Sequence, residues 1–307
     1  MSHRRVVSLL PSATEIVCAL GCSGQLIGRS HECDYPAAIT SLPACTESFL
    51  PATGTSREID DQIKQLRRTG LALYQLNTRL LQELRPDVIL TQAQCEVCAL
   101  SEADVAQALG GWTGPLPQIV SLTPHRLTDV WEDIRRVAAF LNVVDTGRDV
   151  LRALKTRCVD VIEKTCQLSR PTVACLEWID PLMGAGNWVP ELVELAGGKN
   201  LLGETGKHTG YLKWEQLQAA NPDVIIALPC GFDLRRTQSE LPALTKLPGW
   251  GDLKAVRTGR VFIADGNAGF NRPGPRLVES LESLAEILHP RKFSFGHRNR
   301  YWAPAAL

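Results

Sequence analysis

The chain has 307 residues and a balanced charge, with 33 basic and 33 acidic residues. This length is enough for two domains, each with its own core. A net charge of zero provides no field that would attract nucleic acid or anionic lipid, and no apolar run approaches the roughly 20 residues that span a bilayer. We therefore expect neither a nucleic-acid partner nor insertion into a membrane.

The N-terminus favours a strand over an export signal. The apolar run at residues 6–10 follows two arginines, as in a signal peptide, but Pro11 interrupts it and Glu15 stands where the apolar region should continue. We interpret residues 6–10 as the first strand and expect a cytoplasmic protein. In a reducing compartment the ten cysteines would be thiols, metal ligands or catalytic groups before they are disulfides.

A phrase that occurs twice indicates two lobes of similar build. Residues 81–90 (LQELRPDVIL) lead to Cys95, and residues 217–226 (LQAANPDVII) lead to Cys230. Each copy is typical of a helix end, a Pro-Asp turn and a short buried strand. Strand, loop and helix alternate in both halves, and this alternation predicts an α/β fold with parallel sheets.

A strongly helical stretch separates the two halves. Residues 126–141 are apolar at helical spacing, and a second helix is predicted over residues 148–168. At about 1.5 Å per residue this second helix would extend roughly 30 Å. We expect four regions, which are an N-terminal α/β lobe (1–125), linking helices with a long backbone helix (126–168), a C-terminal α/β lobe (169–290) and a solvated tail (291–307).

Several motifs within this layout resemble one family. They are residues 5–15 (RVVSLLPSATE), the two Pro-Asp-Val-Ile phrases, residues 189–198 (VPELVELAGG) and residues 214–217 (WEQL). In combination they resemble the helical-backbone, or class III, substrate-binding proteins of ABC transporters, the receptors for cobalamin, siderophore iron and haem. The resemblance implies two Rossmann-like lobes joined by a long helix, with the ligand in a cleft between them.

Four other segments are similar to a leaderless subgroup that is commonly labelled cobalamin-binding. They are residues 31–36 (HECDYP), 95–98 (CEVC), 229–233 (PCGFD) and 270–276 (FNRPGPR). This likeness implies a cobalamin-like corrinoid or another metal-containing ligand. Without a recognisable export signal, the sequence does not predict an ABC transporter as partner.

Four thiols follow predicted strands, where ligands bind in open α/β sheets. The candidate metal ligands are Cys33, Cys95, Cys98 and Cys230, with His31 as a possible substitute. Four thiolates are the ligand set of tetrahedral zinc or of an iron–sulfur cluster. Three interpretations stay open: a bound metal or cluster, a thiol contact to a metal-bearing ligand such as a corrinoid, and reduced thiols that line the pocket or form a redox pair.

The second lobe supplies ligand-binding candidates of another kind, all in loops after strands. They are Trp178, Asn187, Trp188, Phe270, Asn271 and Arg272. The two indoles would suit a flat or large ligand, and the guanidinium would pair with a carboxylate or phosphate. The alternatives are that one or both indoles cover the core of the lobe and that Arg272 makes a structural salt bridge to the facing lobe.

These observations predict a binding protein that holds a cobalamin-like or other metal-containing ligand in the cleft. No Ser-His-Asp order and no pair of carboxylates stands out, so no catalytic residue is predicted. The alternative is a cysteine-ligated metal or iron–sulfur protein with an enzymatic or electron-transfer role in the same cleft.

Overall fold

The computed structural model describes residues 4–49, 53–68, 73–92, 102–208 and 210–307. These residues belong to two compact units. The first unit comprises the described parts of residues 1–54, 61–124 and 128–152, and the second comprises residues 55–60, 125–127 and the described part of 153–307. Each unit has a sheet with a parallel core and flanking helices, so the predicted α/β fold with two lobes is confirmed.

The first half of the chain alternates strands and helices. In chain order the elements are β1 (Val6–Ser8), α1 (Pro11–Ala19), β2 (Leu26–Arg29), β3 (Thr46–Ser48), α2 (Ser56–Arg68), β4 (Tyr74–Leu76), α3 (Thr78–Leu84), β5 (Val88–Gln92), α4 (Glu102–Ala108), β6 (Gln118–Leu122), α5 (Leu127–Phe140) and α6 (Val144–Thr165). Strands β2, β1, β5 and β6 form a parallel sheet in that order, and β3 pairs with β4 in an antiparallel ribbon.

The two central strands of the first sheet are covered on both faces. Strands β1 and β5 are buried along their whole length, as the apolar runs in the sequence predict. Pro11 occupies the first turn of α1, where its missing N–H and fixed φ are tolerated. Arg85 ends α3 in the left-handed conformation with φ 44°, and the chain then enters β5.

The second unit contains a larger, mixed sheet. Its elements are β7 (Thr172–Trp178), β8 (Met183–Gly184), α7 (Val189–Leu195), β9 (Lys199–Asn200), β10 (Gly210–Tyr211), α8 (Trp214–Ala220), β11 (Val224–Ala227), α9 (Leu234–Glu240), α10 (Pro242–Thr245), α11 (Lys254–Arg257), β12 (Val261–Ala264), α12 (Leu277–Leu288) and β13 (Trp302–Pro304). Strands β7, β11 and β12 are parallel neighbours, and β8, β10 and β13 add antiparallel edges.

The long predicted helix corresponds to α6, which has 22 residues and would extend about 33 Å. It begins four residues before the predicted start and ends three before the predicted end. Its residues up to Arg152 belong to the first unit, and those from Ala153 belong to the second. None of the helices in the described ranges is long and apolar enough to cross a membrane.

The tail is part of the second unit and not a solvated end. Its strand β13 pairs antiparallel with β12. The buried carboxylate of Glu286 on α12 accepts hydrogen bonds from the backbone N–H of Gly296 at 2.8 Å and from the indole N–H of Trp302 at 2.6 Å. A buried carboxylate needs such donors, and these two come from the tail, so the tail completes the unit.

Candidate functional site

Three loops converge at the carboxyl edge of the second sheet, where β7, β11 and β12 end. The loops after β11 and β12 are packed backbone to backbone. The N–H of Gly266 donates to the carbonyl of Phe232 at 2.9 Å, and a Cβ on Gly266 would lie 2.0 Å from the carbonyl oxygen of Pro229. Only glycine permits this approach, so the two loops form one rigid surface.

Trp178 is the last residue of β7 and is half-buried. Its indole N–H donates to the carbonyl of Ser56 at 3.1 Å, and its ring lies 5.2 Å from the ring of Phe232. Phe232 is buried, and the guanidinium of Arg236 lies 4.7 Å from its ring centroid. Trp178 is therefore fixed along one edge and supported by a second aromatic ring, while part of its surface stays accessible to a ligand.

Cys230 lies in the loop after β11, at the same carboxyl edge of the sheet as Trp178. It is partly exposed, and its backbone N–H donates to the carbonyl of Glu177 at 3.2 Å. The following Gly231 has φ 78°, a conformation in which glycine is unstrained. The turn thus leaves a partly exposed thiol, a soft ligand for transition metals, at the carboxyl edge where Trp178 also lies.

Trp188 and Phe270 pack in the core of the second unit. Both are buried, and the indole N–H of Trp188 donates to the carbonyl of Phe270 at 2.8 Å. A buried indole needs such an acceptor, and the loop that follows β12 provides it. The burial of Trp188 supports the alternative interpretation for this indole, in which it covers the core, and Phe270 is buried with it.

Asn187 and Asn271 have different environments. Asn187 is buried with φ 52°, its backbone pairs with Gly206 and Lys207, and its Oδ1 is buried without a hydrogen-bond partner among the described residues. Asn271 is half-buried and donates to the carbonyl of Leu228 at 2.9 Å. Asn271 therefore joins two loops of the carboxyl edge.

Arg272 is buried within the loop after β12 and hydrogen-bonds to a residue of that loop. It is 7% exposed, and its guanidinium donates to Oδ1 of Asn267 at 2.8 Å. In the same loop Oδ1 of Asp265 accepts the backbone N–H of Asn267 at 2.9 Å and of Ala268 at 2.6 Å. Burial raises the pKa of Asp265, while these N–H groups and the charge of Arg272 act in the opposite direction. These contacts give Arg272 a structural role within its own loop, and the ion pair with the facing lobe stays a prediction.

At the edge of the first sheet, Cys33 is 1% exposed and accepts a hydrogen bond from the hydroxyl of Thr14 at 3.0 Å. His31 is half-buried, with Nδ1 2.7 Å from Oγ1 of Thr46. Burial, and then the charge of Arg29, lower the pKa of His31. The imidazole is therefore neutral near neutral pH, which is the form that binds metals.

The proposed set of cysteine ligands is only partly described by the structure. Cys95 and Cys98 lie outside the described residues, Cys33 belongs to the first unit and Cys230 to the second. Within the described ranges no group of three or more His, Cys, Asp and Glu residues could hold a metal ion. The four-cysteine site therefore stays a prediction.

One element of the site was not identified from the sequence. Residues 55–60 belong to the second unit, and Ser56 supplies the carbonyl that accepts the indole N–H of Trp178. A local signal was available, because Thr55 and Glu58 have the spacing of a capping box, which marks a helix start. The capping box predicts where α2 begins, but it contains no information about what the helix contacts.

The chain matches the family Peripla_BP_2, described as periplasmic binding protein, over residues 6–268. It belongs to this family. It is 23% identical to the uncharacterized ABC transporter substrate-binding lipoprotein YvrC of Bacillus subtilis, over 94% of this chain and 81% of that protein. It is also 23% identical to a vitamin B12-binding protein of Vibrio cholerae, over 92% of this chain and 88% of that protein.

Two solved structures have a similar fold. A periplasmic heme binding protein from Pseudomonas aeruginosa aligns with a TM-score of 0.72 at 20% identity, covering 99% of this chain and 98% of that one. The periplasmic vitamin B12 binding protein BtuF of Vibrio cholerae aligns with a TM-score of 0.66 at 19% identity, covering 93% and 96%. The predicted family and class of fold are confirmed, and the chain is a substrate-binding protein.

The predicted cytoplasmic location is wrong. The relative YvrC is named as a lipoprotein, and the heme-binding and vitamin B12-binding neighbours are named as periplasmic. These names point to an extracytoplasmic protein. The first three residues of the apolar run 6–10 form the buried strand β1, and Leu10 is already the N-cap residue of α1, but a strand at this position gives no information about targeting. The assumption of a reducing compartment, on which the reading of the cysteines depended, loses its basis as well.

Proposed function

We propose that this protein is an extracytoplasmic receptor for a metal-containing macrocycle or chelate, with a cobalamin-like corrinoid as the first candidate, and that it delivers the ligand to an ABC transporter. Membership of the periplasmic binding protein family supports a receptor. The relatives named for vitamin B12 and the structural neighbours named for heme support this class of ligand.

The observation that carries the proposal is that Trp178 and Cys230 are both partly exposed at the same carboxyl edge of the second sheet. A corrin or porphyrin ring is wide and flat, and a half-buried indole supported by Phe232 provides a matching apolar face. The partly exposed thiol of Cys230 lies in the adjacent loop, where it would contact the metal of such a ligand. The alternative of a cysteine-ligated cluster with an enzymatic or electron-transfer role gains no support from the described residues.

A titration tests the ligand class. Purified protein is mixed with hydroxocobalamin, hemin or a ferric hydroxamate, and binding is followed by calorimetry and by quenching of tryptophan emission. We expect at least one of them to bind with a Kd below about 10 µM, equivalent to about 7 kcal/mol. Failure of all three to bind would exclude the proposed ligand class.

The contribution of the indole is tested by Trp178→Ala. Loss of one stacking face should weaken binding about tenfold, since stacking on an aromatic side chain contributes roughly 1–3 kcal/mol. Trp112→Ala is the matched control, because Trp112 is half-buried in the first unit and donates to Pro115 at 2.9 Å. Equal losses in the two variants would show that Trp178 is not a ligand contact.

The contribution of the thiol is tested by Cys230→Ser. If sulfur contacts the metal, the visible absorption of the bound ligand will differ between wild type and variant, because replacing a thiol changes the ligand field. Cys166→Ser is the control, since Cys166 is exposed on the C-terminal side of α6. Identical spectra for wild type and Cys230→Ser would remove Cys230 from the site.

A further inference from the structure

A short segment from the first half of the chain is bound beside Trp178. Residues Thr55–Asp60, which we call the strap, belong to the second unit, although the residues on either side of them belong to the first. The strap contains the first residues of α2 and is more than a hundred positions from Trp178 in the sequence. Its contacts must therefore be tertiary.

The strap closes its own helix cap. The backbone N–H of Thr55 donates to the Glu58 carboxylate at 2.7 Å, and the N–H of Glu58 donates to the hydroxyl of Thr55 at 3.3 Å. This reciprocal capping box starts the helix at Ser56. The N–H of Ser56, in the first helical turn, has no carbonyl to bind within the helix and is available to an outside acceptor.

Glu240 at the end of α9 is that acceptor. Its Oε2 accepts the N–H of Ser56 at 2.9 Å and the hydroxyl of Ser56 at 2.7 Å, and both residues are buried. Its Oε1 lies 2.9 Å from the guanidinium of Arg236. A buried carboxylate with three donors at the N-terminus of a helix is well stabilised, by charge-assisted hydrogen bonds and by the helix dipole.

These contacts lead back to the ligand-facing indole. The carbonyl of Ser56 accepts the N–H of Trp178 at 3.1 Å, Trp178 packs on Phe232, and Arg236 covers Phe232. Ser56, Glu240, Arg236, Phe232 and Trp178 thus form a closed ring of contacts. A displacement of Glu240 would be transmitted to the indole from two sides.

Two more tethers hold the strap. Arg57 pairs with Asp180 in the loop after β7, and the hydroxyl of Tyr211 donates to Oδ1 of Asp60 at 3.0 Å. Because Arg57 and Asp60 are both anchored, the carbonyl of Ser56 is held in place. This carbonyl therefore fixes the position of the indole N–H of Trp178.

We propose that Ser56 and Glu240 are positioning residues for ligand binding, because they hold the strap that fixes the orientation of Trp178. The proposal rests on the proposed function, since it takes Trp178 as a ligand contact. An indole held in its bound orientation loses less conformational entropy when the ligand arrives, and this pre-organisation increases affinity.

Two variants weaken the tether by different routes. Glu240→Gln replaces the carboxylate with a neutral amide of the same size. Ser56→Pro removes both donors of Ser56 but leaves the start of the helix intact, since proline is favoured in the first helical turn. We expect each to weaken binding of hydroxocobalamin, or of whichever of the three probes binds wild type, by about tenfold, in the range of lost charge-assisted hydrogen bonds. Glu215→Gln, an exposed glutamate in the first turn of α8, should have no effect.

Fluorescence separates positioning from a general loss of stability. With the tether weakened the indole should become more accessible to acrylamide, so Glu240→Gln should increase quenching in the Trp178 protein but not in a Trp178→Phe background. Affinity should follow the same pattern, with Glu240→Gln weakening binding only when Trp178 is present. Ser56→Ala, which removes the hydroxyl alone, provides a milder test if Glu240→Gln does not fold.

The outcomes are distinguishable. Equal effects of Glu240→Gln with and without Trp178, or quenching that stays unchanged, would overturn the positioning role. If wild type binds none of the three probes, the proposed function fails, and the quenching comparison still decides whether Glu240 and Ser56 hold the indole.

Discussion

The two copies of the repeated phrase produce the same backbone. Arg85 and Asn221 end their helices with φ 44° and 38°, and each is followed by proline and then aspartate. The carboxylates of Asp87 and Asp223 both accept a backbone N–H from the start of the neighbouring strand, at 2.8 Å in each case. In both copies the repeat ends a helix with a left-handed residue. Its aspartate then hydrogen-bonds to the start of the neighbouring strand.

The carboxyl edges that follow are not alike. In the described part of the first unit, Cys33 is buried and accepts a hydrogen bond from Thr14, and His31 is half-buried beside Thr46. In the second unit, Trp178 and Cys230 are both partly exposed, and the strap supports the indole. The duplicated scaffold is shared, whereas the binding chemistry belongs to the individual loops.

The largest expected difference between the halves is in the stability lost when a glycine is replaced by alanine. Gly28 and Gly203 occupy similar places after the first helix of each lobe. A Cβ on Gly203 would lie 1.9 Å from the carbonyl oxygen of Ala185, at φ 114°. A Cβ on Gly28 would meet the ends of Cys45 and Leu84 at 2.7 and 2.9 Å. Gly203→Ala should lower the free energy of unfolding by about 3 kcal/mol or more, and Gly28→Ala by about 1–2 kcal/mol.

Urea unfolding followed by far-UV circular dichroism measures both values. Gly251→Ala is the control, because a Cβ at Gly251 meets no atom within 4 Å. If Gly28→Ala proved the more damaging variant, side-chain packing around β2 would be less adaptable than its contacts indicate.

The second prediction compares the two turn aspartates. Asp223 also accepts the hydroxyl of Thr172 at 2.8 Å and pairs with Lys254 at 2.6 Å. Asp87 is exposed and accepts the N–H of Arg5. Asp223→Asn should therefore lower the free energy of unfolding by about 1–2 kcal/mol, and Asp87→Asn by less than about 1 kcal/mol. Equal losses would mean that the extra partners of Asp223 add nothing.

The same contacts predict a dependence on pH. The hydrogen bond from Lys254, followed by the N–H of Thr172, lowers the pKa of Asp223 to about 2, whereas the unfolded chain has a value near 3.9. A lowered pKa in the folded state stabilises the fold above the unfolded value, and this stabilisation is lost as the pH falls from about 4 towards 2. The gap in free energy of unfolding between wild type and Asp223→Asn should accordingly shrink over that interval. A constant gap would assign the effect to packing.

Local signals in the sequence were sufficient for the repeated elements. The Pro-Asp phrases predicted strands β5 and β11, because a proline ends a helix and a β-branched run follows it. The core positions of Trp188 and Phe270 could not be predicted, since the burial of a loop aromatic depends on what packs over it. The strap was missed for the same reason. Its capping box is local, but its partner Glu240 lies 184 positions further along the chain.

The last prediction tests whether the two edges differ in thiol accessibility. Cys230 is partly exposed, whereas Cys33 is 1% exposed and accepts the hydroxyl of Thr14. Alkylation by iodoacetamide near neutral pH, followed by mass spectrometry, should modify Cys230 at least about tenfold faster, because a buried thiol reacts only after local opening. Exposed Cys166 serves as the reference for an accessible thiol.

Thr14→Val should leave Cys33 protected, since burial and not the hydroxyl limits the reaction. Equal rates at Cys33 and Cys230 would show that the carboxyl edge of the first sheet opens readily around Cys33. Both thiols would then be accessible to a metal.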